Sequence, residues 1–366
     1  MSKLFNIYNS KKVLVTGHTG FKGSWLSLWL NKLKADVYGI SISVPTNPSH
    51  FDSSNLGEIV KDIRLDITDK NLLQKKIEEI NPDFIFHLAA QPLVSIAYQE
   101  PIKTMTTNAI GTINLLDSIK NIKKPLNLIL ITSDKVYENL EWPWGYREID
   151  QLGGKDPYSA SKSMTEIAIR SFFYSYFNSP ESLLRLGIAR AGNVIGGGDW
   201  AKDRIITDCI KAWSCDESVE IRNPYSTRPW QHVLEPLSGY LTLGFYLNSN
   251  KNINGNAYNF GPNENQNYSV ENLIEEMKKY WKKSNWDNIS NSNEKFSEAN
   301  LLKLNCDKAY KHLNWYPTLD FHETIEYTAK WYLEYYHKSK NTYNFSLNQI
   351  NQYEDLAKKR NIKWAK

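Results

Sequence analysis

Tyr158 and Lys162 form a Y-x-x-x-K pattern that places a phenol and an amine four residues apart. Asp156 and Pro157 directly precede it and are typical of a helix start, so the two side chains are expected one turn apart on one face. A tyrosine has an ordinary pKa of about 10, and a nearby ammonium lowers it toward the range of a general base. The pattern predicts proton transfer at Tyr158, although solvated Tyr–Lys pairs at this spacing are also common.

A hydroxyl, a carboxylate and an amine follow the predicted strand Leu128–Thr132, as Ser133, Asp134 and Lys135. Ligand sites in open parallel sheets lie beyond the carboxyl ends of the strands. We therefore expect these three side chains to converge with Tyr158. An ordinary polar turn is the alternative interpretation.

Glycines at every third position follow the predicted strand Lys12–Thr16 and precede the predicted helix Ser24–Leu33. Glycine permits a tight turn and a close approach of the backbone to a pyrophosphate, and a helix N-terminus offers free N–H groups to phosphates. The loop predicts a dinucleotide site, with a plain turn as the alternative. Its candidate cofactor contacts are Gly17, Thr19, Gly20, Phe21, Lys22 and Gly23.

The end of the second predicted strand, Val37–Ile40, reads Ser41-Ile42-Ser43. An acidic residue there would bind the ribose hydroxyls of NAD, and a basic one would favour the phosphate of NADP. Neither is present, so this position does not decide between the two. Asp66 and Ile67, after the third predicted strand, are candidates for the adenine edge, although Asp66 is almost as well explained as a helix cap.

These residues require a scaffold of short strands alternating with helices, which predicts parallel βαβ units and a right-handed doubly wound sheet. The fold class is α/β, a Rossmann-type sheet with a smaller C-terminal substrate-binding subdomain. Further predicted strands are Ile59–Ile63, Phe84–Leu88, Leu183–Ala189 and Tyr258–Phe260, and further helices are Asn71–Ile80, Ile102–Lys120, Pro157–Phe177, Ser269–Trp281 and Phe321–Tyr336.

The rhythm breaks after about Gly192, where glycine and proline pairs mark loops. We expect a cofactor domain over 1–192 with return segments near 230–262, and a mainly substrate-binding subdomain over 193–340. The polar tail 341–366 has no apolar period from which an element can be predicted.

The chain has 366 residues, with 44 basic and 40 acidic side chains and a net charge of +4. This balance gives no reason to expect nucleic-acid or membrane binding. Three cysteines without a metal or redox pattern favour a reducing compartment. The segment 1–10 has no apolar signal region, and no run reaches the about 18 apolar residues of a membrane span. We expect a cytoplasmic protein without a metal site.

Taken together, these motifs resemble the extended short-chain dehydrogenase/reductase superfamily, over nearly the whole chain to about Tyr336. The glycine loop, Leu88-Ala89-Ala90, Asn108, the Tyr–Lys pair and the stretch Arg190–Val194 carry the resemblance. A narrower resemblance, to the CDP-glucose 4,6-dehydratases, rests on TGHTGFKGSWL (Thr16–Leu26), HLAAQPLV (His87–Val94), TSDKVYEN (Thr132–Asn139), EWPWGYRE (Glu141–Glu148), GGKDPYSASK (Gly153–Lys162), RAGNVIGGGDWAKDR (Arg190–Arg204) and RNPYSTRPWQHV (Arg222–Val233).

That resemblance implies the cofactor NAD and a nucleotide-sugar substrate, CDP-glucose, which loses water to give a 4-keto-6-deoxy sugar for deoxysugar or O-antigen synthesis. Tyr158 would take the proton of the 4-hydroxyl, Lys162 would hold the cofactor ribose, and Ser133 would bind the 4-oxygen. Asp134, protonated, would help the C6 hydroxyl leave. Relatives pair through two long helices, here Ile102–Lys120 and Pro157–Phe177, which implies a homodimer or homotetramer.

The resemblance also extends the set of binding residues. Cofactor contacts beyond the glycine loop would be Asp66, Ile67, Leu88, Ala89, Ala90, Gln91, Asn108, Thr132, Tyr158, Lys162 and Arg190. Substrate contacts would be Gln91, Ser133, Asn193, Arg204, Arg222 and Arg228, with structural ion pairs as the alternative for Arg204 and Arg222. No residue is assigned to the base on physical grounds.

Lys135 stands where related dehydratases of dTDP- and GDP-sugars usually carry glutamate. A lysine removes a proton only when neutral, and moving its pKa from about 10.4 to about 7 requires about 4.6 kcal/mol. Burial or a neighbouring cation would supply this. Alternatively, Lys135 stays charged and stabilises a C5 enolate while another group moves the proton.

Two other functions remain open at this point. The same scaffold supports 4-epimerases and dehydratases of other nucleotide sugars, although an epimerase needs no acid for the loss of water. A non-catalytic dinucleotide-binding protein is the alternative from another class, and it would not need Tyr158, Lys162 and Asp134 together.

Overall fold

The structure is a computed structural model that describes residues 3–263, 266–289 and 301–366. Its strands are β1 (Lys12–Thr16), β2 (Asp36–Ser41), β3 (Lys61–Arg64), β4 (Phe84–His87), β5 (Leu126–Ile131), β6 (Leu184–Arg190), β7 (Val194–Ile195), β8 (Val219–Ile221), β9 (Thr227–Arg228), β10 (Gln231–His232), β11 (Asn256–Asn259), β12 (Tyr268–Ser269) and β13 (Trp286–Asn288). Each strand predicted from the sequence overlaps an observed one.

The central sheet has seven parallel strands in the order β11-β6-β5-β4-β1-β2-β3. The order reverses between β1 and β4, where Val15 pairs with Gly39 on one side and with Phe86 on the other. β5 is buried along its whole length, as expected for a strand covered on both faces. The predicted doubly wound Rossmann-type sheet is confirmed, including the late return strand, which lies beside β6.

The helices are α1 (Phe21–Lys32), α2 (His50–Ser53), α3 (Lys70–Ile80), α4 (Val94–Gln99), α5 (Pro101–Met105), α6 (Gly111–Ser118), α7 (Pro157–Phe172), α8 (Ile205–Ser214), α9 (Leu234–Ser249), α10 (Val270–Lys278), α11 (Asp307–Leu313), α12 (Phe321–His337) and α13 (Tyr343–Lys359). A π-helical turn joins α5 to α6, and another extends α7, so both long predicted helices are present. Within the described residues, no helix is long and apolar enough to cross a membrane.

Two apolar layers cover the faces of the sheet. One contains Leu73, Leu115 and Ile169 from α3, α6 and α7. The other contains Trp29 of α1 and Leu243 of α9, and it continues into the C-terminal part of the chain. Helices on both faces leave the carboxyl edge of the strands open, which is where the predicted site residues lie.

The C-terminal segment 341–366, for which the sequence predicts no element, contains α13. Its inner face includes polar residues, and Glu354 accepts a hydrogen bond from Trp29 Nε1 at 2.8 Å and pairs with Lys32 at 2.6 Å. Ile350 and Tyr353 beside it are fully buried. Half of the buried side chains on this face are polar and have hydrogen-bond or ion-pair partners. The helix is therefore buried without the apolar periodicity that would have predicted it. The division of the chain into cofactor and substrate subdomains stays a prediction.

Candidate active site

One continuous cleft of about 1970 Å³ runs along the carboxyl edge of the sheet. Its volume exceeds the about 300–1,000 Å³ of a pocket for one small ligand. The lining runs from Asp66 and Ile67 at one end, past Tyr158, to Arg222 and Arg228 at the other. The cleft therefore has room for a dinucleotide and a second nucleotide ligand placed end to end.

The glycine loop lies at the floor of this cleft, between β1 and α1. Gly17 has φ +77°, and a Cβ added there would lie 2.7 Å from the backbone nitrogen of Ala89. Any larger residue would push apart two strand ends that both line the cleft. α1 begins at Phe21 after the N-cap Gly20, so its free N–H groups face the cleft lining. This geometry fits a dinucleotide phosphate.

The end of β2 is occupied by a hydrogen-bonded network that sequence reasoning missed. His18, fully buried, lies with Nδ1 2.9 Å from Ser41 Oγ and with Nε2 3.0 Å from Asp62 Oδ1. Burial lowers the pKa of His18, and Asp62 opposes this. Arg64 pairs with the other oxygen of Asp62. The position where an acid would bind a ribose therefore holds a serine that contacts a histidine of the glycine loop.

Asp66 and Ile67 both line the cleft beyond β3. Asp66 is exposed, and its carboxylate accepts the backbone N–H of Thr68 at 2.9 Å. Ile67 is buried and packs toward Gly111. Asp66 therefore stabilises a turn and is not the helix cap of the alternative interpretation, since Asp69 caps α3, and it lines the predicted adenine end of the cleft.

The segment Leu88–Gln91 after β4 lines the cleft, whereas Asn108 lies outside the lining. Asn108 accepts the backbone N–H of Gln91 at 2.7 Å and donates to Gln91 O at 3.1 Å and to Ser161 Oγ at 2.8 Å. The side chain of Gln91 is itself bonded to Leu93 and Thr104. Asn108 therefore ties this segment of the cleft lining to α7, next to Tyr158.

The five predicted catalytic residues meet in the middle of the cleft. Ser133, Asp134 and Lys135 form a single turn after β5, in which Ser133 accepts the N–H of Lys135 and donates to Asp134 Oδ1 at 2.8 Å. Asp156 caps α7 by accepting the backbone N–H of Tyr158, as the Asp-Pro start predicts. All five side chains line the same cleft: Ser133, Asp134, Lys135, Tyr158 and Lys162.

Burial dominates the acid–base properties of this group. It raises the pKa of Tyr158 to about 12, against the opposing effect of the neighbouring Ser133 hydroxyl. Burial lowers the pKa of Lys162 to about 8, opposed by Glu166, and that of Lys22 to about 8. The lowering of the Tyr158 pKa expected from the sequence is therefore outweighed. A positively charged ligand ring bound beside the phenol would lower the pKa of Tyr158.

Asp134 packs against Gly192, for which the sequence alone predicts no role in the site. A Cβ on Gly192 would lie 2.1 Å from the carboxyl carbon of Asp134, so only glycine fits there. Gln231 donates to Gly192 O at 2.9 Å and fixes the other side of this segment. Lys135 Nζ, in contrast, has no hydrogen-bond or ion-pair partner within 3–263, 266–289 and 301–366, and it faces the cleft.

Arg190 is predicted to bind the cofactor, but it lies outside the cleft lining. Its guanidinium is buried in a bidentate ion pair with Glu166 and donates to Tyr137 Oη at 2.6 Å. Thr132 donates to the same carboxylate at 2.6 Å. Arg190 thus fixes the ends of β5 and β6 to α7, and this is a structural rather than a ligand-facing placement.

The predicted substrate residues line the other half of the cleft. Arg204 lies 4.0 Å from Asp199 and its side chain is 40% exposed, which is a weak ion pair that leaves the cation available. Arg222 is exposed, and Arg228 donates to Thr227 O at 2.9 Å. Asn193, next to Gly192, also lines the cleft.

No group of His, Cys, Asp or Glu among the described residues could hold a metal ion.

The sequence profile of the GDP-mannose 4,6 dehydratase family matches residues 14–328, a span that contains every cleft residue discussed above. The chain belongs to this family. A CDP-glucose 4,6-dehydratase of Salmonella typhimurium is 44% identical over 332 residues, covering 89% of this chain and 92% of the relative.

Solved structures of other proteins share the fold of this dehydratase-family chain. An epimerase, Mth375 of Methanothermobacter thermautotrophicus, superposes with a TM-score of 0.77 at 22% identity, covering 92% of this chain and 96% of the other. A dTDP-glucose 4,6-dehydratase of Bacillus anthracis in complex with NAD gives 0.73 at 20% identity, covering 88% and 97%. At these identities the structures show the fold alone.

Proposed function

We propose that this chain is an NAD-dependent hydro-lyase that converts CDP-glucose to CDP-4-keto-6-deoxyglucose and water. The observation that carries this proposal is the 44% identity to a CDP-glucose 4,6-dehydratase along 89% of the chain. The convergence of Ser133, Asp134, Lys135 and Tyr158 in one cleft supports it, because an acid and a base beside a proton-transfer pair are what a dehydration requires.

When bound, NAD would supply the hydride acceptor for C4 of the sugar and, once reduced, the hydride donor for C6. The glycine loop and the N-terminus of α1 would hold its phosphates, and Lys162 would hold its ribose near the nicotinamide. Ser41 and His18 occupy the end of β2, where His18 contacts Asp62 and Asp62 pairs with Arg64, so this position does not decide between NAD and NADP. The proposal of NAD rests instead on the related dTDP-glucose 4,6-dehydratase, which was solved in complex with it.

Tyr158 would take the proton of the 4-hydroxyl, while Ser133 donates a hydrogen bond to the same oxygen. Tyr158 and Ser133 both line the cleft, so one sugar oxygen bound there would be within reach of both hydroxyl groups. Asp134 lies on the far side of Ser133, 2.8 Å from its hydroxyl, where it would deliver a proton to the departing C6 hydroxyl.

Lys135 faces the cleft without a partner in the described part of the chain, beside both Asp134 and the expected position of the sugar. We propose that Lys135 removes the C5 proton, which the new 4-ketone acidifies. The alternative is a charged Lys135 that stabilises the enolate. It predicts that the C5 proton still exchanges with solvent deuterium when Lys135 is replaced.

Lys135→Met is expected to abolish exchange of the C5 proton with deuterium from solvent, because methionine keeps the side-chain volume but cannot accept a proton. Mass spectrometry of substrate recovered from heavy water measures the exchange. Lys155→Met is the matched control, since Lys155 is exposed and lies outside the cleft lining. Exchange that persists undiminished in Lys135→Met would contradict the base role.

The arginines at the far end of the cleft would grip the substrate diphosphate. Arg222 directly follows β8, Arg228 belongs to β9, and Arg204 is the N-cap residue of α8. Arginine offers a planar fork of donors that fits phosphate oxygens. Asn193 would bind a sugar or phosphate oxygen beside Asp134.

The experiment that tests this function is incubation of the purified chain and NAD with CDP-, dTDP-, GDP- and UDP-glucose and GDP-mannose. Mass spectrometry follows the loss of one water from each. We expect water loss from CDP-glucose. Water loss from a non-CDP substrate alone would overturn the nucleotide assignment, and isomerisation without water loss would favour an epimerase.

We propose a homo-oligomer assembled through α5, α6 and α7. These helices and the π-helical turns that extend them expose several apolar side chains, namely Ile102 (81% exposed), Ile110 (45%), Met164 (43%), Ile167 (59%), Tyr174 (68%) and Tyr176 (53%). Exposed apolar side chains that form a patch are typical of an interface. A second copy that presents the same two helices would cover it by two-fold symmetry.

Ile167→Glu is expected to convert the oligomer to monomers, because it places a charge in the middle of the apolar surface. Sedimentation velocity measures the mass. Leu72→Glu on α3 is the control, since Leu72 is 51% exposed and α3 is not one of the helices proposed to pair. A wild-type chain that sediments as a monomer would contradict the proposal.

We further propose a cytoplasmic enzyme of deoxysugar synthesis that supplies O-antigen or other surface polysaccharides. The three cysteines carry no disulfide, two of them being buried as free thiols, which fits a reducing compartment. The bacterial relative acts on a CDP-sugar by its name. The proposed product is a reactive ketone, so a reductase, transaminase or epimerase must consume it.

A further inference from the structure

His50 lies next to the glycine loop and is among the residues that line the cleft, and no part of the proposed chemistry uses it. It is 1% exposed, and its ring stacks on Trp25 of α1 with centroids 4.4 Å apart and planes at 11°. Its Nδ1 lies 2.9 Å from Ser24 Oγ in the first turns of α1, and its Nε2 lies 3.1 Å from Ser346 Oγ in α13. Both ring nitrogens are therefore occupied by hydroxyl groups from opposite ends of the chain.

These hydrogen bonds form a series from Ser24 through His50 to Ser346, and the groups at its two ends fix the direction of each bond. Ser24 donates its only hydroxyl proton to Phe21 O at 2.9 Å, so its oxygen must accept from His50 Nδ1–H. Burial lowers the pKa of His50 to about 3, and the neutral ring then has a bare Nε2 that accepts from the Ser346 hydroxyl. Ser346 in turn accepts from Trp331 Nε1 at 2.8 Å.

This series of hydrogen bonds ends at the first turn of α1, which faces the proposed cofactor site. Ser24 also closes the first helical turn through its N–H to Gly20 O at 2.8 Å, and Phe21 and Gly20 both line the cleft. Trp25, stacked on His50, donates to Gly197 O at 2.9 Å in the loop on the substrate side of the cleft. His50 thus contacts α13, the phosphate-binding turn and, through Trp25, the opposite wall.

We propose that His50, oriented by Ser346 of α13, is a positioning residue that holds the Gly20–Ser24 turn in the geometry that binds the cofactor phosphates. The C-terminal helix would then act on cofactor affinity from outside the cleft. This inference rests on the cofactor site proposed above. It gives a role to the helix 343–359, which lies beyond the span matched by the family profile.

Two substitutions interrupt this series of hydrogen bonds at different residues. His50→Phe keeps a ring to stack on Trp25 but removes both nitrogens, and Ser346→Ala removes only the distal hydroxyl. We expect the dissociation constant for NAD to rise about tenfold in His50→Phe and about threefold in Ser346→Ala, the scale of one or two buried hydrogen bonds. The KM for NAD should rise in parallel, with a much smaller change in kcat at saturating NAD.

Amide hydrogen exchange of residues 20–24 in the cofactor-free protein is the second readout, and we expect it to accelerate in both variants. The matched control is Gln349→Ala, one turn further along α13, which removes a buried hydrogen bond to Tyr327 O without touching His50. It should lower the melting temperature but leave NAD affinity and exchange at 20–24 unchanged.

Unchanged NAD affinity and unchanged exchange in stable Ser346→Ala protein would overturn the inference, as would an equal effect of Gln349→Ala. Should His50→Phe fail to fold, Ser346→Ala alone decides. A wild-type chain that binds no NAD would refute the proposed function instead, and exchange at 20–24 would still test the link between α13 and the turn.

Discussion

Replacement of Tyr158 by phenylalanine is expected to reduce kcat by a factor of about 10²–10⁴, the usual contribution of a positioned general base or acid. The phenol lines the same cleft as Ser133 and lies one turn from Lys162. Phenylalanine preserves the packing of this buried ring but cannot take the proton of the 4-hydroxyl. Steady-state assays at saturating NAD and CDP-glucose measure the loss.

Tyr240→Phe is the matched control for this prediction. Tyr240 is also fully buried, and its hydroxyl has no hydrogen-bond partner within the described residues. We expect its activity to stay within a factor of about two, since no bonded group is removed. A Tyr158→Phe enzyme with wild-type kcat would show that another group moves the 4-hydroxyl proton.

Asp134→Asn is expected to reduce water loss by a factor of about 10² or more while the C5 proton still exchanges with solvent. Asparagine keeps the size of the side chain against Gly192 and an oxygen that accepts from Ser133, but it has no proton to deliver to the C6 hydroxyl. Mass spectrometry in heavy water follows both events in one experiment.

The two readouts of this variant separate the acid from the base. Substrate that gains deuterium at C5 without losing water would place the defect at C6. Loss of exchange together with loss of water would mean that Asp134 is needed before the elimination step, and unchanged water loss would remove it from the mechanism.

The sheet and the convergence of the site could be predicted because they depend on local patterns. Strands such as β5 are continuous apolar runs, and parallel strands bring their carboxyl ends to one edge. The turn after β1, the turn after β5 and the start of α7 therefore had to meet. Ser133, Asp134 and Tyr158 follow from that topology.

Other features depend on contacts between distant residues and left no local pattern. α13 buries Ser346 and Glu354 through partners some 300 positions away, His50 and Trp29. Asn108 and Arg190 match motifs associated with the cofactor, yet each is buried outside the lining of the cleft, where it bonds to Gln91 and Glu166. A motif shows that a residue matters, but its partner decides whether it touches a ligand.

The most direct test of the account is to follow a deuterium label placed at C4 of CDP-glucose through one turnover with the purified chain and NAD. We predict that the label appears at C6 of the CDP-4-keto-6-deoxyglucose product, because a single bound cofactor would take it up from C4 and return it to C6. Nuclear magnetic resonance locates the label. Deuterium that remains at C4 of an isomerised sugar, or that is lost to free reduced cofactor, would contradict an internal 4,6-dehydration.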